Sequence, residues 1–283
     1  MNPVSHADDD LRHFEANGAA PLPPASAEGR VEFEGAQIWY AAFGAGAPVV
    51  MLHGAFDNSE DWGYQLPALL DVGHRVILID SRGRGRSTLG TRPLSYELMA
   101  NEVLAVLDIL GIAKAAVVGW SDGATIGLIL AMRTPPRITR VFAFAGSMDL
   151  SAAKPFAPSD TTARVFGRAK EDYARLSDTP AEFETMRKAV SHMMDTQPNY
   201  RALDLAKIRT PVAIVVGEND EFIEREHSEY LARTIPGAAL TILPGVSHFA
   251  MLQHPELFNN AMLAFLGASL TAQKVSHANP PST

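Results

Sequence analysis

The chain has 283 residues, 47% of them hydrophobic and 20% charged, with no cysteine and a formal net charge of −8. That is ordinary globular composition, long enough for one large α/β domain with an insertion or for two small domains, and able to bury most of its apolar surface without staples. The missing cysteines exclude disulfides and thiolate metal sites and fit a cytoplasmic protein, while the acidic balance speaks against nucleic acid and anionic membranes as partners.

The stretch Met1 to Gly29 holds Asp8, Asp9 and Asp10 and then a Pro/Ala run, with no basic segment leading into an apolar one, so it is not a secretory signal. No stretch approaches the roughly 18 apolar residues of a membrane helix. Residues 1–28 and 271–283 read as poorly ordered tails. Val31–Phe33 and Gln37–Phe43 form a short strand pair turning at Glu34-Gly35. Short apolar runs then recur at Pro48–Leu52, Arg75–Asp80, Ala115–Gly119, Val141–Ala145, Val212–Gly217 and Ala239–Leu243, as suits strands buried on both faces. Helical patterns fall between them. Ser95 caps one whose apolar face includes Leu98, Val103 and Val106 and which stops at Gly111. Ala124–Met132 is a small-residue helix and Pro255–Leu266 closes the domain. The alternation predicts an α/β fold with a mostly parallel sheet covered by helices on both faces. Residues 29–148 and 201–270 form this core. Residues 149–200 break the rhythm with two helical patterns, near Thr162–Leu176 and from Pro180, where Thr179 offers a capping-box start; they read as a helical cap insertion.

The sharpest motif is Gly119-Trp120-Ser121-Asp122-Gly123. It lies between a buried strand and a small-residue helix, the context a nucleophile elbow requires. Such a turn strains the serine backbone, lifts its hydroxyl above the sheet, and leaves amides of the following helix to hold an oxyanion. A hydroxyl is a weak nucleophile and needs a base. His248, in Gly245-Val246-Ser247-His248-Phe249 after the last strand, is placed for that work at the carboxyl edge of the sheet. The other histidines compete poorly; His227, on the charged run Glu224-Arg225-Glu226, reads as solvated. The base needs a carboxylate behind it. Asp220, in Gly217-Glu218-Asn219-Asp220-Glu221, is the candidate, with Glu218 and Glu221 as alternatives in the same loop and Asp149, after the preceding strand, as an outside alternative. His53-Gly54-Ala55-Phe56 follows the strand ending at Leu52, so the backbone amides of Ala55 (with Phe56 as fallback) and Asp122 are the expected oxyanion donors, and His53 braces its own loop. Asp122 has a second conceivable role, attracting a cationic substrate such as an amino ester. Candidate pocket residues are Phe56, Trp120, Phe156, Phe166, Met193 and Phe249.

Together with Trp62 and Asp80-Ser81-Arg82-Gly83-Arg84-Gly85-Arg86-Ser87, these motifs resemble the α/β-hydrolase superfamily from Val31 to Leu266. Gly-Trp-Ser-Asp-Gly is similar to the elbow of biphenyl-hydrolase-like (valacyclovirase-type) esterases, some of which cleave amino-acid esters. The resemblance implies a central eight-stranded sheet, a helical cap after the sixth strand, and cofactor-free acyl transfer to water. Dehalogenases and epoxide hydrolases of the superfamily use an aspartate nucleophile, which Ser121 argues against. The Arg82–Arg86 loop tempts a phosphate-binding reading, but Thr88 stands where a dinucleotide fingerprint needs its third glycine, there is no Walker lysine, and no His-Glu-x-x-His motif suggests zinc. The expected function is hydrolysis of small to medium carboxylic esters, with lactonase, carbon–carbon bond hydrolase and perhydrolase activity as alternatives on the same triad. A silent binding protein on this fold is the alternative outside enzymes.

Overall fold

The computed structural model describes residues 7–267. Eight strands form one sheet in the order β1-β2-β4-β3-β5-β6-β7-β8. They are Ala27–Phe33 (β1), Ala36–Phe43 (β2), Ala47–Leu52 (β3), His74–Ile79 (β4), Ala115–Trp120 (β5), Ile138–Phe144 (β6), Val212–Gly217 (β7) and Ala239–Leu243 (β8). The first hairpin turns through Glu34 and Gly35, both at positive φ (44° and 77°), a twist that matches antiparallel strands. β2 pairs antiparallel with β4, and from β4 to β8 all pairs are parallel. Parallel strands need crossovers, so helices cover both faces. Successive strand residues alternate between them: Val50, Leu52, Ile77 and Val117 enter one core cluster, Val49, Met51, Val76 and Val118 the other.

The helices are Ala7–Asn17 (α1), Gln65–Asp71 (α2), Tyr96–Ile109 (α3), Asp122–Arg133 (α4), Asp160–Leu176 (α5), Phe183–Thr196 (α6), Ala202–Leu205 (α7), Arg225–Thr234 (α8), Ala250–Gln253 (α9) and Pro255–Leu266 (α10). Between β6 and β7 lie α5, opened by a Ser159 cap that accepts from the Thr162 amide, and α6. The capping box expected at Thr179 does not form. Its hydroxyl lies against Ser177 and Tyr173, Pro180–Glu182 makes a 3₁₀ turn, and α6 starts at Phe183. No helix among the described residues is long and apolar enough to cross a membrane.

The expected tail over residues 1–28 needs correction. α1 docks on the body through Leu11 and Phe14, both buried, and Glu15 pairs with Arg164 of α5 at 3.3 Å. Gly18, at φ 76°, ends the helix. The following segment then crosses Gly63 so closely that a Cβ there would lie 1.9 Å from the Ala20 carbonyl. β1 starts at Ala27, inside the expected tail. The sequence reading missed α1 because, among its described side chains, only Leu11 and Phe14 carry an apolar face into the core. Phe14→Ala is expected to cost about 3 kcal/mol or more of unfolding free energy, since the ring is buried in the same core cluster as Trp62, Leu66 and Met251; urea denaturation measures it, and a loss below about 0.5 kcal/mol would mean α1 is not docked. Residues 1–6 and the expected C-terminal tail, 271–283, lie outside the described residues.

Candidate active site

Because β3, β5, β6, β7 and β8 run parallel, the loops after each of them emerge at one edge of the sheet. Ser121 follows β5 with φ 54° and ψ −117°, a conformation rarely adopted by non-glycine residues. The flanking glycines make the turn possible: a Cβ on Gly119 would lie 2.3 Å from the Gly123 carbonyl oxygen, and one on Gly123 would lie 2.1 Å from that of Leu52. The Ser121 amide donates to Phe144 O at 2.9 Å and its carbonyl accepts from Ala124 and Thr125, so the serine sits at the start of α4.

His248 is buried on the loop after β8, and its Nδ1 lies 2.8 Å from Asp220 Oδ2. The other oxygen of Asp220 accepts from the amides of Phe222 and Ile223 at 2.9 and 2.8 Å, which fixes the carboxylate. Each of the three acids in this loop has its own work. Glu221 accepts from the His248 amide at 3.0 Å, and Glu218 accepts from the Gly245 amide at 2.8 Å. Gly217 lets the two loops meet, since a Cβ there would lie 2.4 Å from Ser247 O. Burial pulls the His248 pKa down, but the charge and hydrogen bond of Asp220, together with Glu221 and Asp57, outweigh it and hold the value above that of an ordinary histidine. Asp149 serves elsewhere: its Oδ1 accepts from the Ser151 amide at 2.9 Å and its Oδ2 lies 3.9 Å from Nδ1 of His227. His227 is buried, not solvated, and its Nε2 accepts from the Met148 amide.

His53 is braced as expected. Nδ1 donates to Gly54 O at 2.7 Å and Nε2 accepts from the Ser81 amide at 2.9 Å, an arrangement that requires a neutral ring. Burial, aided by Arg84, pushes its pKa down to about 4. The amides of Ala55 and Asp122 have no hydrogen-bond partner among the described residues. The Asp122 carboxylate is turned inward, accepting from Tyr96 Oη at 2.7 Å with Arg84 in charge range. The arginine loop is tied to the body by its own side chains: Arg82 pairs with Glu102 and donates to Phe33 O, Arg84 donates to Arg82 O, and Arg86 reaches Asp80.

The aromatic candidates gather around the histidine. Trp120 lies 6.0 Å from the His248 ring and 5.8 Å from Phe249; Phe166 of α5 stands 6.0 Å from Phe56, 6.4 Å from Phe156 and 6.5 Å from Phe249. Phe222 belongs with them, edge-on to His248 at 4.9 Å, although the sequence reading did not single it out. Its signal was its place two residues after the acid. Met193 is buried with Met186 and Val190 on α6, in a core cluster against which Ala55 and Phe56 also pack. Ser121 Oγ and His248 Nε2 have no hydrogen-bond partner among the described residues. No three His, Cys, Asp or Glu among the described residues converge to hold a metal ion.

A sequence model of the alpha/beta hydrolase family matches residues 49–261. The chain belongs to that family. Among the relatives of this hydrolase is the 2-hydroxy-6-oxononadienedioate/2-hydroxy-6-oxononatrienedioate hydrolase 2 of Pseudomonas putida, 27% identical over 81% of this chain and 91% of that protein. The rhodomycin D methylesterase DauP of Streptomyces sp. strain C5 is 27% identical over 82% of this chain and 95% of its own length. A solved structure of Est816, described as an N-acyl homoserine lactone degrading enzyme, superposes with a TM-score of 0.67 at 27% identity, covering 83% of this chain and 99% of that one.

Proposed function

We propose that this alpha/beta hydrolase cleaves small to medium carboxylic esters through a covalent acyl-enzyme, with Ser121 as nucleophile, His248 as base and Asp220 as the acid behind it. The observation that carries the reading is the 2.8 Å contact between His248 Nδ1 and Asp220, on the same sheet edge as a serine held in a strained elbow. A carboxylate on Nδ1 keeps that proton in place and leaves Nε2 to accept one from the serine. Catalytic hydrogen bonds are often long before substrate is seated and tighten in the Michaelis complex. As Ser121 Oγ attacks the carbonyl carbon, His248 takes its proton and negative charge collects on the carbonyl oxygen, facing the amides of Ala55 and Asp122. The imidazolium then protonates the departing alkoxide. In the second half His248 takes a proton from water, the hydroxide oxygen attacks the acyl carbon, and the proton returns to Ser121. A lactone is a cyclic ester and follows the same steps, so the likeness to Est816 and to a methylesterase supports acyl–oxygen cleavage in either form.

The test is labelling with a fluorophosphonate, followed by peptide mass analysis, alongside turnover of p-nitrophenyl esters of graded acyl length and of simple lactones. The label is expected on Ser121 alone, with at least one ester class turned over. An unlabelled Ser121 in a folded protein that turns over none of these would leave only the fold assignment standing.

A further inference from the structure

Asp57 lies three residues beyond Gly54, on the loop that carries the Ala55 amide, and is 7% exposed. A Cβ placed on Gly54 would lie 3.1 Å from Asp57 Oδ2 and 3.2 Å from the Trp120 ring, so this carboxyl and the residue before the nucleophile close on the same glycine. The acids around it have partners inside the protein. Asp61 accepts from the Asn58 amide, Asp80 from the Ser59 and Arg86 amides, Asp122 from Tyr96, Asp172 from Arg168 and Arg175, and Asp220 from the Phe222 and Ile223 amides beside His248. Asp57 alone of this group accepts no hydrogen bond from any described residue. Its loop is nevertheless fixed, because Asn58 caps the 3₁₀ turn Ser59–Tyr64 by accepting from the Glu60 amide at 2.9 Å. A buried carboxyl without a partner is costly and is rarely kept for structure.

We propose that Asp57 is a specificity-determining residue, a preformed acceptor that binds a hydrogen-bond donor, such as a hydroxyl, carried by the substrate close to the scissile carbonyl. The inference rests on the ester-hydrolase reading above and names its substrate class: esters or lactones with a neutral donor near the carbonyl. Burial pushes the Asp57 pKa up to about 7. The groups facing it are His248 from the loop after β8, Asp172 from α5, Asp122 from α4, Arg84 from the loop after β4, and Asp61 from its own 3₁₀ turn. His248 and Arg84 favour its charged form; the three aspartates oppose it. Burial therefore shifts the gain of charge on Asp57 toward neutral pH, and an ionised carboxylate is the stronger acceptor.

Selection between two substrates isolates this group. Both substrates need neutral His248, so the ratio of their kcat/KM values cancels that titration and keeps only a state of the enzyme that treats them differently. Ethyl β-hydroxybutanoate is set in competition with its methyl ether, and the α-substituted pair is run beside it. The hydroxyl-to-ether ratio in the wild type is expected to rise about tenfold between about pH 6 and about pH 8 for at least one pair, the scale of a hydrogen bond to a charged group. In Asp57→Asn and in Asp57→Ala the ratio should be flat with pH. The Asn variant keeps the shape and an acceptor but cannot ionise, so it answers the question even if the Ala variant fails to fold. A ratio that is flat in the wild type for both pairs, or a rise that survives in Asp57→Asn, overturns the proposal. Plain ethyl butanoate is run as well: if it and every other ester are untouched, or are turned over equally by Ser121→Ala, the ester-hydrolase reading has failed and this inference falls with it. If turnover depends on Ser121 and only the pH-dependent selection is missing, the inference alone has failed.

Discussion

Ser121→Ala is expected to lower kcat for an ester substrate by on the order of 10⁴- to 10⁶-fold while leaving the fold intact. The size follows from what the hydroxyl supplies. Without it no acyl-enzyme forms, and His248 can at best direct water to a carbonyl polarised by the Ala55 and Asp122 amides. The activity left over measures that polarisation and substrate binding, because removing the nucleophile from such a unit costs about as much as removing the whole unit. The fold should survive because alanine fills the space of serine and keeps the same backbone strain; Ala145, on the next strand's loop, already holds a φ of 55° in this protein. Initial rates at saturating ester, with circular dichroism on the same preparation, make the comparison. A variant within tenfold of wild type would mean that another group attacks the carbonyl.

The second large effect belongs to the acid. Asp220→Asn is expected to lower kcat by on the order of 10³- to 10⁴-fold. Asparagine fits the same space and can still accept from the Phe222 and Ile223 amides, so geometry is kept. The negative charge is lost, and an amide nitrogen can face the ring and select the wrong tautomer. The same substitution removes the main cause that holds the His248 pKa up, leaving burial free to pull it down. The acid limb of the kcat/KM profile, which rises as His248 loses its proton, should therefore move to lower pH while its plateau falls. Asp149→Asn is the control. Its carboxylate is committed to Ser151 and lies near His227, so kcat should stay within about threefold of wild type. A larger loss at Asp149 than at Asp220 would reassign the acid.

The parts of this site that could be read from the chain are those whose neighbours in sequence decide their neighbours in space. The elbow is one: Gly119 and Gly123 are required by contacts a few residues away, with Leu52 on the next strand. The loops bearing Asp220 and His248 are another, since a parallel sheet brings every strand end to one edge whatever the details. What escaped was decided between distant segments. The Tyr96–Asp122 bond joins the start of α3 to the start of α4, and no pattern in either announces it. His227 sits in a run of charges yet is buried, because α8 turns it toward the Met148 amide. Phe222 faces His248 because Asp220 captures the amides of residues 222 and 223 and bends the loop. Met193 is buried with Met186 and Val190 on one face of α6, as apolar faces of helices usually are. α1 was hidden because its anchoring depends on distant segments, α5 through Arg164 and α9 at the far end of the chain.

The tight glycine contacts at the elbow also bear on how this enzyme can change over evolutionary time. Neither Gly119 nor Gly123 has room for a single methyl group, and Gly54 already meets Asp57 and Trp120 at close range. The turn around Ser121 is thus frozen, and substitution finds few acceptable moves there. Phe156 and Phe166 are under no such restriction: they are carried on the segment between β6 and β7, where exchange of a ring leaves the turn that holds Ser121 undisturbed. A change of ring on that segment therefore leaves the packing of Gly119 and Gly123 untouched, whereas a change at Gly54 or Asp57 would be felt at the elbow.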